Sequence, residues 1–179
     1  QVSYVRQLVR EGREKMQEAI IEKLPKDLKG TRILDAGCGT GVLSRMLDER
    51  GAEVVGVDIS EKLIEVAKNR SRSNGNIEYF AGDMKEKSFG NFDYIVAMDS
   101  LIHYSPEDVI SSIAEFSKRA NYSVLFTVIP STFALRTKLS LGKYFPKSEI
   151  SPEVVPIEWG QLRQLEYLKI NACLEKIKR

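Results

Sequence analysis

The sequence predicts an α/β fold, a mostly parallel doubly wound sheet cut short at one edge, on three observations. Two short apolar runs end in or near an acid, Arg32-Ile-Leu-Asp-Ala36 and Val54-Val-Gly-Val-Asp-Ile59. Between them lies a glycine-dense turn, Gly37-Cys-Gly-Thr-Gly41, followed by an apolar-periodic segment. Further strand and helix patterns then alternate, which implies parallel strands joined by right-handed crossovers with helices on both faces.

Val5, Leu8, Val9, Met16, Ala19, Ile20 and Leu24 recur at helical spacing, so an amphipathic helix fills residues 1–24 and stops before Pro25. Gly12 weakens it slightly. Strand Thr31–Ala36 comes next, then a helix over Gly41–Arg50, strand Glu53–Asp58, and a helix over Glu61–Ser71 capped by Ser60. Ser73-Asn-Gly-Asn76 is turn chemistry leading into strand Ile77–Ala81. Strand Phe92–Met98, a helix from Pro106 at its first turn to Ala120, and strand Tyr122–Ile129 complete the core. After Pro130 the pattern changes to a helix over Thr132–Leu141, a Pro-containing loop over Gly142–Ile157, a helix over Gln161–Lys169 and imperfect alternation over Ala172–Arg179. The expected organisation is one domain: leading helix 1–24, core 31–129, and a substrate-side segment 130–179. A complete sheet of this kind needs one more, antiparallel, edge strand. None is legible, and with no initial Met the chain reads as a fragment of a longer gene product.

Composition narrows the function. A chain of 179 residues fits one core, and 29% charged with 42% hydrophobic residues is ordinary for a soluble globule. The longest apolar runs are too short to span a bilayer. A net charge of +2 without a dense basic block argues against nucleic acid. Cys38 and Cys173 lie far apart, one of them in the glycine turn, which points to a reducing cytoplasm rather than a disulfide scaffold. One histidine and two cysteines leave no metal-ligand spacing. A monomer is expected.

The turn and the two acids form the wall of a nucleoside-binding crevice. Gly37, Gly39 and Gly41 lack Cβ atoms, so the backbone turns sharply and lies against a ligand. Asp58, ending the second strand, is placed to accept both ribose hydroxyls. Asp35 separates two ligand classes. It would repel a pyrophosphate cradled on the glycine amides, and it suits a cationic tail such as the ammonium and sulfonium of S-adenosylmethionine. The order D-x-G-x-G-x-G resembles the first motif of the Rossmann-like, class I S-adenosylmethionine-dependent methyltransferases, and Val57-Asp58-Ile59-Ser60 resembles their second-strand signature. That resemblance implies cofactor contacts from Asp35, Gly37, Cys38, Gly39, Asp58 and Ile59. It also implies contacts from Asp83 and Met84, which follow the third strand where this fold meets adenine, and from Met98 and Asp99 at the end of the fourth. Nucleic-acid amino-methyltransferases carry an Asn or Asp, two prolines and an aromatic residue at that last position; Met98-Asp99-Ser100-Leu101 departs from it. A nicotinamide dehydrogenase, or a plain tight turn with two surface carboxylates, remains as an alternative.

A narrower resemblance rests on Asp99-Ser-Leu-Ile-His-Tyr-Ser105, Leu125-Phe-Thr127, Gly142-Lys-Tyr-Phe-Pro146 and Ser151-Pro-Glu-Val-Val-Pro-Ile157. Together with the opening Gln1-Val-Ser-Tyr-Val-Arg6 and Gly12, these segments resemble the magnesium-protoporphyrin IX O-methyltransferases of chlorophyll and bacteriochlorophyll synthesis. The resemblance covers most of residues 1–157. It implies methylation of a propionate carboxylate, giving the monomethyl ester and S-adenosylhomocysteine, with His103 as the catalytic candidate. A carboxylic acid of ordinary pKa is already ionised at neutral pH, so His103 is expected to orient the propionate rather than to act as a base. A tetrapyrrole substrate, a magnesium chelatase subunit and contact with a photosynthetic membrane surface are the implied partners. Arg136, Lys138, Lys143 and Lys147 either attract the substrate's carboxylates or form a solvated face. Leu139, Leu141, Tyr144, Phe145 and Trp159 either line a flat apolar slot or pack as core. The family's N-terminal arm and aromatic-rich C-terminal hairpin are not recognisable here. Two rivals stay open: a methyltransferase of another small molecule, and a truncated, non-catalytic cofactor-binding domain.

Overall fold

The computed structural model describes residues 2–71, 75–128, Val155 and Ile157. Helix α1 (Val2–Glu22) leads into β1 (Arg32–Ala36), α2 (Val42–Asp48), β2 (Glu53–Asp58), α3 (Glu61–Arg70), β3 (Ile77–Ala81), β4 (Phe92–Ala97), α4 (Pro106–Arg119) and β5 (Ala120–Phe126). One-turn 3₁₀ helices occupy Lys87–Phe89 and Leu101–His103. The five strands are parallel and lie in the order β3-β2-β1-β4-β5.

That order follows from the apolar runs. Ile33, Leu34 and Ala36 of β1 are fully buried, as a central strand covered on both faces requires. Alternation sends Leu34, Val55 and Ile95 to one face, where they pack with Val109, Ile113 and Phe116 of α4. Ile33, Val54 and Val96 face the other side, against Ile20, Ile21 and Leu24 near the end of α1 and Leu43 and Leu47 of α2. Each such side chain contributes roughly 1.5–3 kcal/mol of transfer free energy. The chain first steps outward from β1 to β2 and β3, then returns to β4 on the other side of β1. This reversal opens a crevice at the carboxyl ends of β1, β2 and β4.

Most boundaries shift by one to three residues from the sequence expectation, and three of the shifts mark local features. Helix α2 begins at Val42 because Gly41 is left-handed, with φ 71°, and caps it. Strand β5 begins at Ala120, two residues early, with no connecting loop. Arg119 fixes that junction: its Nε donates to Gly90 O at 3.0 Å, Nη1 to Lys85 O at 3.4 Å, and its guanidinium lies 5.6 Å from the centre of the Phe92 ring. The strand also ends early, at Phe126, and Thr127 turns its hydroxyl to the backbone of Asp99.

The elements expected over 130–179, including any edge strand, lie outside the described residues apart from Val155 and Ile157. Those two are informative. Val155 N donates to Ile102 O at 2.8 Å, and Ile157 is 1% exposed within the α4-side core. Val155 is therefore tied to the turn that carries His103, and Ile157 lies in the core beside it. Among the described residues, no helix is long and apolar enough to cross a membrane.

Candidate active site

A cleft of about 730 Å³ opens at the switch point. Its floor is the glycine turn. Gly37, Gly39 and Gly41 adopt φ of 81°, 54° and 71°, conformations that favour glycine. A Cβ on Gly37 would stand 2.2 Å from Ser100 Cβ, so the absent side chain lets the end of β4 press against the end of β1. Gly39 differs: a Cβ there would meet nothing within 4 Å, because the space is open.

The acids hold this turn and are held by it. Asp58 Oδ2 accepts from Gly39 N at 2.9 Å, and Asp58 Oδ1 accepts from Ser60 N at 2.9 Å. A carboxylate offers about four lone-pair positions, so Asp58 keeps acceptor capacity for a ligand's hydroxyls while its orientation is fixed. Gly37 N and Cys38 N donate to Val57 O at 2.8 and 3.0 Å, pinning the turn to β2. Ser60 caps α3 through Leu63 N at 3.4 Å, and Ile59 beside it is 87% exposed at the rim. An exposed Ile next to a ribose-type acid is an apolar surface for a flat ring to cover.

Asp35 is 2% exposed and accepts from Ser44 Oγ at 2.5 Å. Burial pushes its carboxyl up to about 6, against the Ser44 hydrogen bond and with a smaller push from Asp58. A cation arriving in the cleft would offset the cost of burying this charge. Burial and the neighbouring Asp35 and Asp58 likewise push the Cys38 thiol up. Cys38 therefore serves the turn through its backbone, not as a thiolate.

At the far end of the cleft, Asp99 is left-handed with φ 55°. Its amide donates to Thr127 Oγ1 at 2.8 Å, and its Oδ2 lies 3.3 Å from Arg13 Nε of α1. Ser100 Oγ beside it is buried with no protein partner. An unpartnered hydroxyl at a cleft wall can bond a polar atom of a ligand. His103 and Tyr104 line the same end, on the 3₁₀ turn to which Val155 is bonded.

Of the residues singled out from the sequence, Asp35, Gly37, Cys38, Gly39, Asp58, Ile59, Asp83, Met84, Met98, Asp99 and His103 line this one cleft, while Gly41 faces Tyr79 instead. Their contributions differ. Met84 is 6% exposed with its side chain in the core, so its backbone is what it offers. Asp83 Oδ1 accepts from Lys85 N at 2.9 Å and shapes the turn after β3. Arg13, Gln17, Lys85 and Ser100 also line the cleft and were missed. Arg13 and Gln17, four residues apart, share one helix face; polar residues there were the only signal. The clusters Arg136–Lys147 and Leu139–Trp159 lie outside the described residues. Among the described residues no cluster of three metal-ligating side chains occurs.

The site fits S-adenosylmethionine: an open glycine turn, a fixed Asp58 carboxylate with spare acceptor capacity, an unpartnered hydroxyl at Ser100, and a buried carboxylate at Asp35. This combination on this sheet defines a class I S-adenosylmethionine-dependent methyltransferase, and residues 33–121 match the methyltransferase domain family. Residues 97–176 match the magnesium-protoporphyrin IX methyltransferase C-terminus. The magnesium-protoporphyrin O-methyltransferase of Rhodobacter capsulatus is 47% identical, over 91% of this chain and 74% of that one. The crystal structure of magnesium protoporphyrin IX methyltransferase from Synechocystis PCC 6803 with bound S-adenosylhomocysteine superposes with a TM-score of 0.79 at 27% identity, covering 92% of this chain and 76% of that one. A ubiquinone biosynthesis O-methyltransferase from Bordetella avium is 31% identical, over 84% of this chain and 72% of that one. The chain belongs to the magnesium-protoporphyrin O-methyltransferase family.

Proposed function

We propose that this chain, acting as one domain, methylates a propionate carboxylate of magnesium-protoporphyrin IX with S-adenosylmethionine. Bound in the cleft, the cofactor supplies a sulfonium methyl group; the O–CH₃ bond forms as the S–CH₃ bond breaks, leaving the ester and S-adenosylhomocysteine. The chain's own work is positioning. Asp58 receives the ribose hydroxyls, Ile59 covers one face of the adenine, and Asp83 with the Met84 amide meets its edge. Asp35 and Asp99 supply negative charge to the cationic portion. His103 stands at the acceptor end, where a hydrogen bond from its ring would fix one propionate oxygen in line with the methyl group. No proton has to be removed from an ionised carboxylate. Alignment and exclusion of water therefore supply the catalysis.

The observation that carries the acceptor assignment is the return of Val155 and Ile157 to the turn holding His103. Two residues of the family-specific stretch beside the His103 turn support reading this as the acceptor end. Delivery of the tetrapyrrole by a magnesium chelatase subunit and contact with a photosynthetic membrane extend the reading, because the substrate is a flat, poorly soluble macrocycle. The Bordetella relative motivates the contrast to test. Purified chain is given methyl-labelled S-adenosylmethionine and either magnesium-protoporphyrin or a catechol. Label in a base-labile ester of the tetrapyrrole is expected; label in a catechol ether alone would overturn the assignment.

A further inference from the structure

Tyr79 of β3 does not line the cleft, yet its hydroxyl belongs to a chain of hydrogen bonds that ends on the buried Asp35. The residue is buried among Cys38, Ile64 and Ala67. Two glycines give its ring room. A Cβ on Gly41 would strike the Tyr79 hydroxyl, and one on Gly56 would lie 2.6 Å from ring Cδ1. The hydroxyl lies 3.1 Å from Ser71 Oγ and also meets the hydroxyl of Ser44, which donates to Asp35 Oδ2 at 2.5 Å. Ser71 Oγ in turn donates to Ala67 O at 3.0 Å. The chain thus runs from Asp35 through Ser44 and Tyr79 to Ser71 at the end of α3.

Each hydroxyl owns one proton, so the chain has a direction. With Asp35 ionised, Ser44 donates to the carboxylate, and Tyr79 donates its only proton to Ser71, because Ser71 is already committed to Ala67 O. The Tyr79 and Ser44 oxygens then face each other with no proton between them. With Asp35 protonated, the acid donates to Ser44, Ser44 to Tyr79 and Tyr79 to Ser71, and every hydroxyl is satisfied. Burial pushes Asp35 up and the Ser44 hydrogen bond opposes it. Tyr79 weakens that opposition by offering Ser44 a second acceptor. The titratable groups around the chain are Asp58 of β2, which raises Asp35 further, Arg45 of α2, which acts on Tyr79, and the Cys38 thiol, kept protonated by burial. Asp99, Arg13 and His103 stand further along the same cleft.

We infer that Tyr79 is a positioning residue for the cofactor: acting through Ser44, it strengthens the hold of Asp35 on its proton in the empty cleft, and so couples arrival of a cationic ligand to release of that proton. The inference rests on the cofactor assignment made above. A cation in the cleft favours the carboxylate. The Asp35 O–H bond breaks, its electron pair stays on the carboxylate oxygen, and the proton passes to solvent. Ser44 then turns its own proton from Tyr79 to Asp35. Because the ligand displaces a proton, its affinity falls as pH falls. Without the Tyr79 hydroxyl the neutral acid loses its chain of acceptors, and less proton remains to be displaced.

Calorimetry on the intact chain, with no acceptor present and in buffers of different ionisation enthalpy, counts the protons released on binding. With Asp35 near 6, the unsubstituted chain is expected to release about half a proton per S-adenosylmethionine at pH 6, and to lose about tenfold in affinity from pH 7 to pH 5. Tyr79→Phe keeps the ring; its release is expected to drop to about a fifth of a proton, and its loss between the same pH values to about threefold. Ser71→Ala leaves Tyr79 intact and frees its proton for Ser44, so it should lower the release as well. Uncharged 5′-methylthioadenosine should release no proton from any of these chains. In a Ser44→Ala background, Tyr79→Phe should change neither reading, since the link to Asp35 is already cut. Groups elsewhere in the cleft contribute alike to parent and variants, so the differences isolate the chain. Release undiminished in Tyr79→Phe and Ser71→Ala, or diminished as much by Tyr79→Phe when Ser44 is absent, would overturn the inference. If the unsubstituted chain binds S-adenosylmethionine without releasing a proton at pH 6, the inference alone falls; if it binds neither ligand, the cofactor assignment falls, and the inference with it.

Discussion

The two ends of the cleft are built differently. The β1–β2 end is assembled from neighbours in sequence: Asp35, the glycine turn and Asp58 are tied by hydrogen bonds within one βαβ unit, with Gly39 N on Asp58 and Gly37 N on Val57 O. The β4 end is assembled from distant pieces. Asp99 meets Arg13 from α1 and Thr127 after β5, and Ile102 meets Val155. In the proposed reading the first end takes the nucleoside, and the second takes the acceptor together with the cofactor's cationic portion. The difference teaches that a shared cofactor is served by local geometry, while specificity is served by long-range contacts.

Where β1 meets β4, Gly37 packs against Ser100, and breaking that contact has the largest expected effect. Gly37→Ala places a methyl group 2.2 Å from Ser100 Cβ at a left-handed position. A loss of about 3–5 kcal/mol in folding stability is expected from overpacking and backbone strain together. Denaturant unfolding measures it, and adding Ser100→Gly should restore part of the loss. No restoration would mean that the two ends are not packed as described.

Asp58→Ala comes next. Removing the diol acceptor should weaken S-adenosylhomocysteine and methylthioadenosine alike by roughly 100-fold, about 3 kcal/mol, by calorimetry. A loss confined to S-adenosylhomocysteine would place Asp58 against the tail and reverse the orientation of the ligand.

Ile157→Ala probes the other end. With Ile157 1% exposed, a loss of about 2–3 kcal/mol is expected. Acceptor KM should rise while cofactor affinity stays within twofold. A change in cofactor affinity as large as the change in KM would erase the distinction between the ends.

Asp35→Asn separates stability from binding. The carboxyl's folded value, about 6, lies above its ordinary 3.8. The protonated form is therefore favoured by folding: that contribution is complete below about pH 4 and is lost as pH rises through about 6. At pH 8 the cofactor-free Asn variant should be more stable by up to about 2–3 kcal/mol, a gain that disappears near pH 4. Cofactor affinity should fall about tenfold, since the buried anion no longer meets a cation. An Asn variant less stable than the parent at pH 8 would contradict the reading of Asp35 as a stored electrostatic cost.

The same contrast governs what the sequence conveyed. The strands and helices of the core and the residues of the nucleoside end were legible because their signals are local: apolar runs ending in acids, glycines where the backbone turns, Ser60 and Pro106 at helix starts. Asp99 and His103 were legible as types and positions at a strand end, though the left-handed backbone of Asp99 and the 3₁₀ turn carrying His103 were not. Arg13 was read only as part of an amphipathic helix, because its partner Asp99 is remote in the chain. The direct passage from α4 into β5 was missed for the same reason. It depends on Arg119 reaching the carbonyls of Gly90 and Lys85, which no periodicity encodes.

The most direct test of a cleft divided into a cofactor end and an acceptor end uses one preparation of His103→Ala, measured twice. S-adenosylhomocysteine affinity by calorimetry should stay within twofold of the parent chain. Formation of the magnesium-protoporphyrin ester should fall at least tenfold, with substantial recovery in His103→Gln, whose side chain also donates a hydrogen bond. Ester formation undiminished in His103→Ala, or reduced only in proportion to a loss of cofactor affinity, would contradict the account.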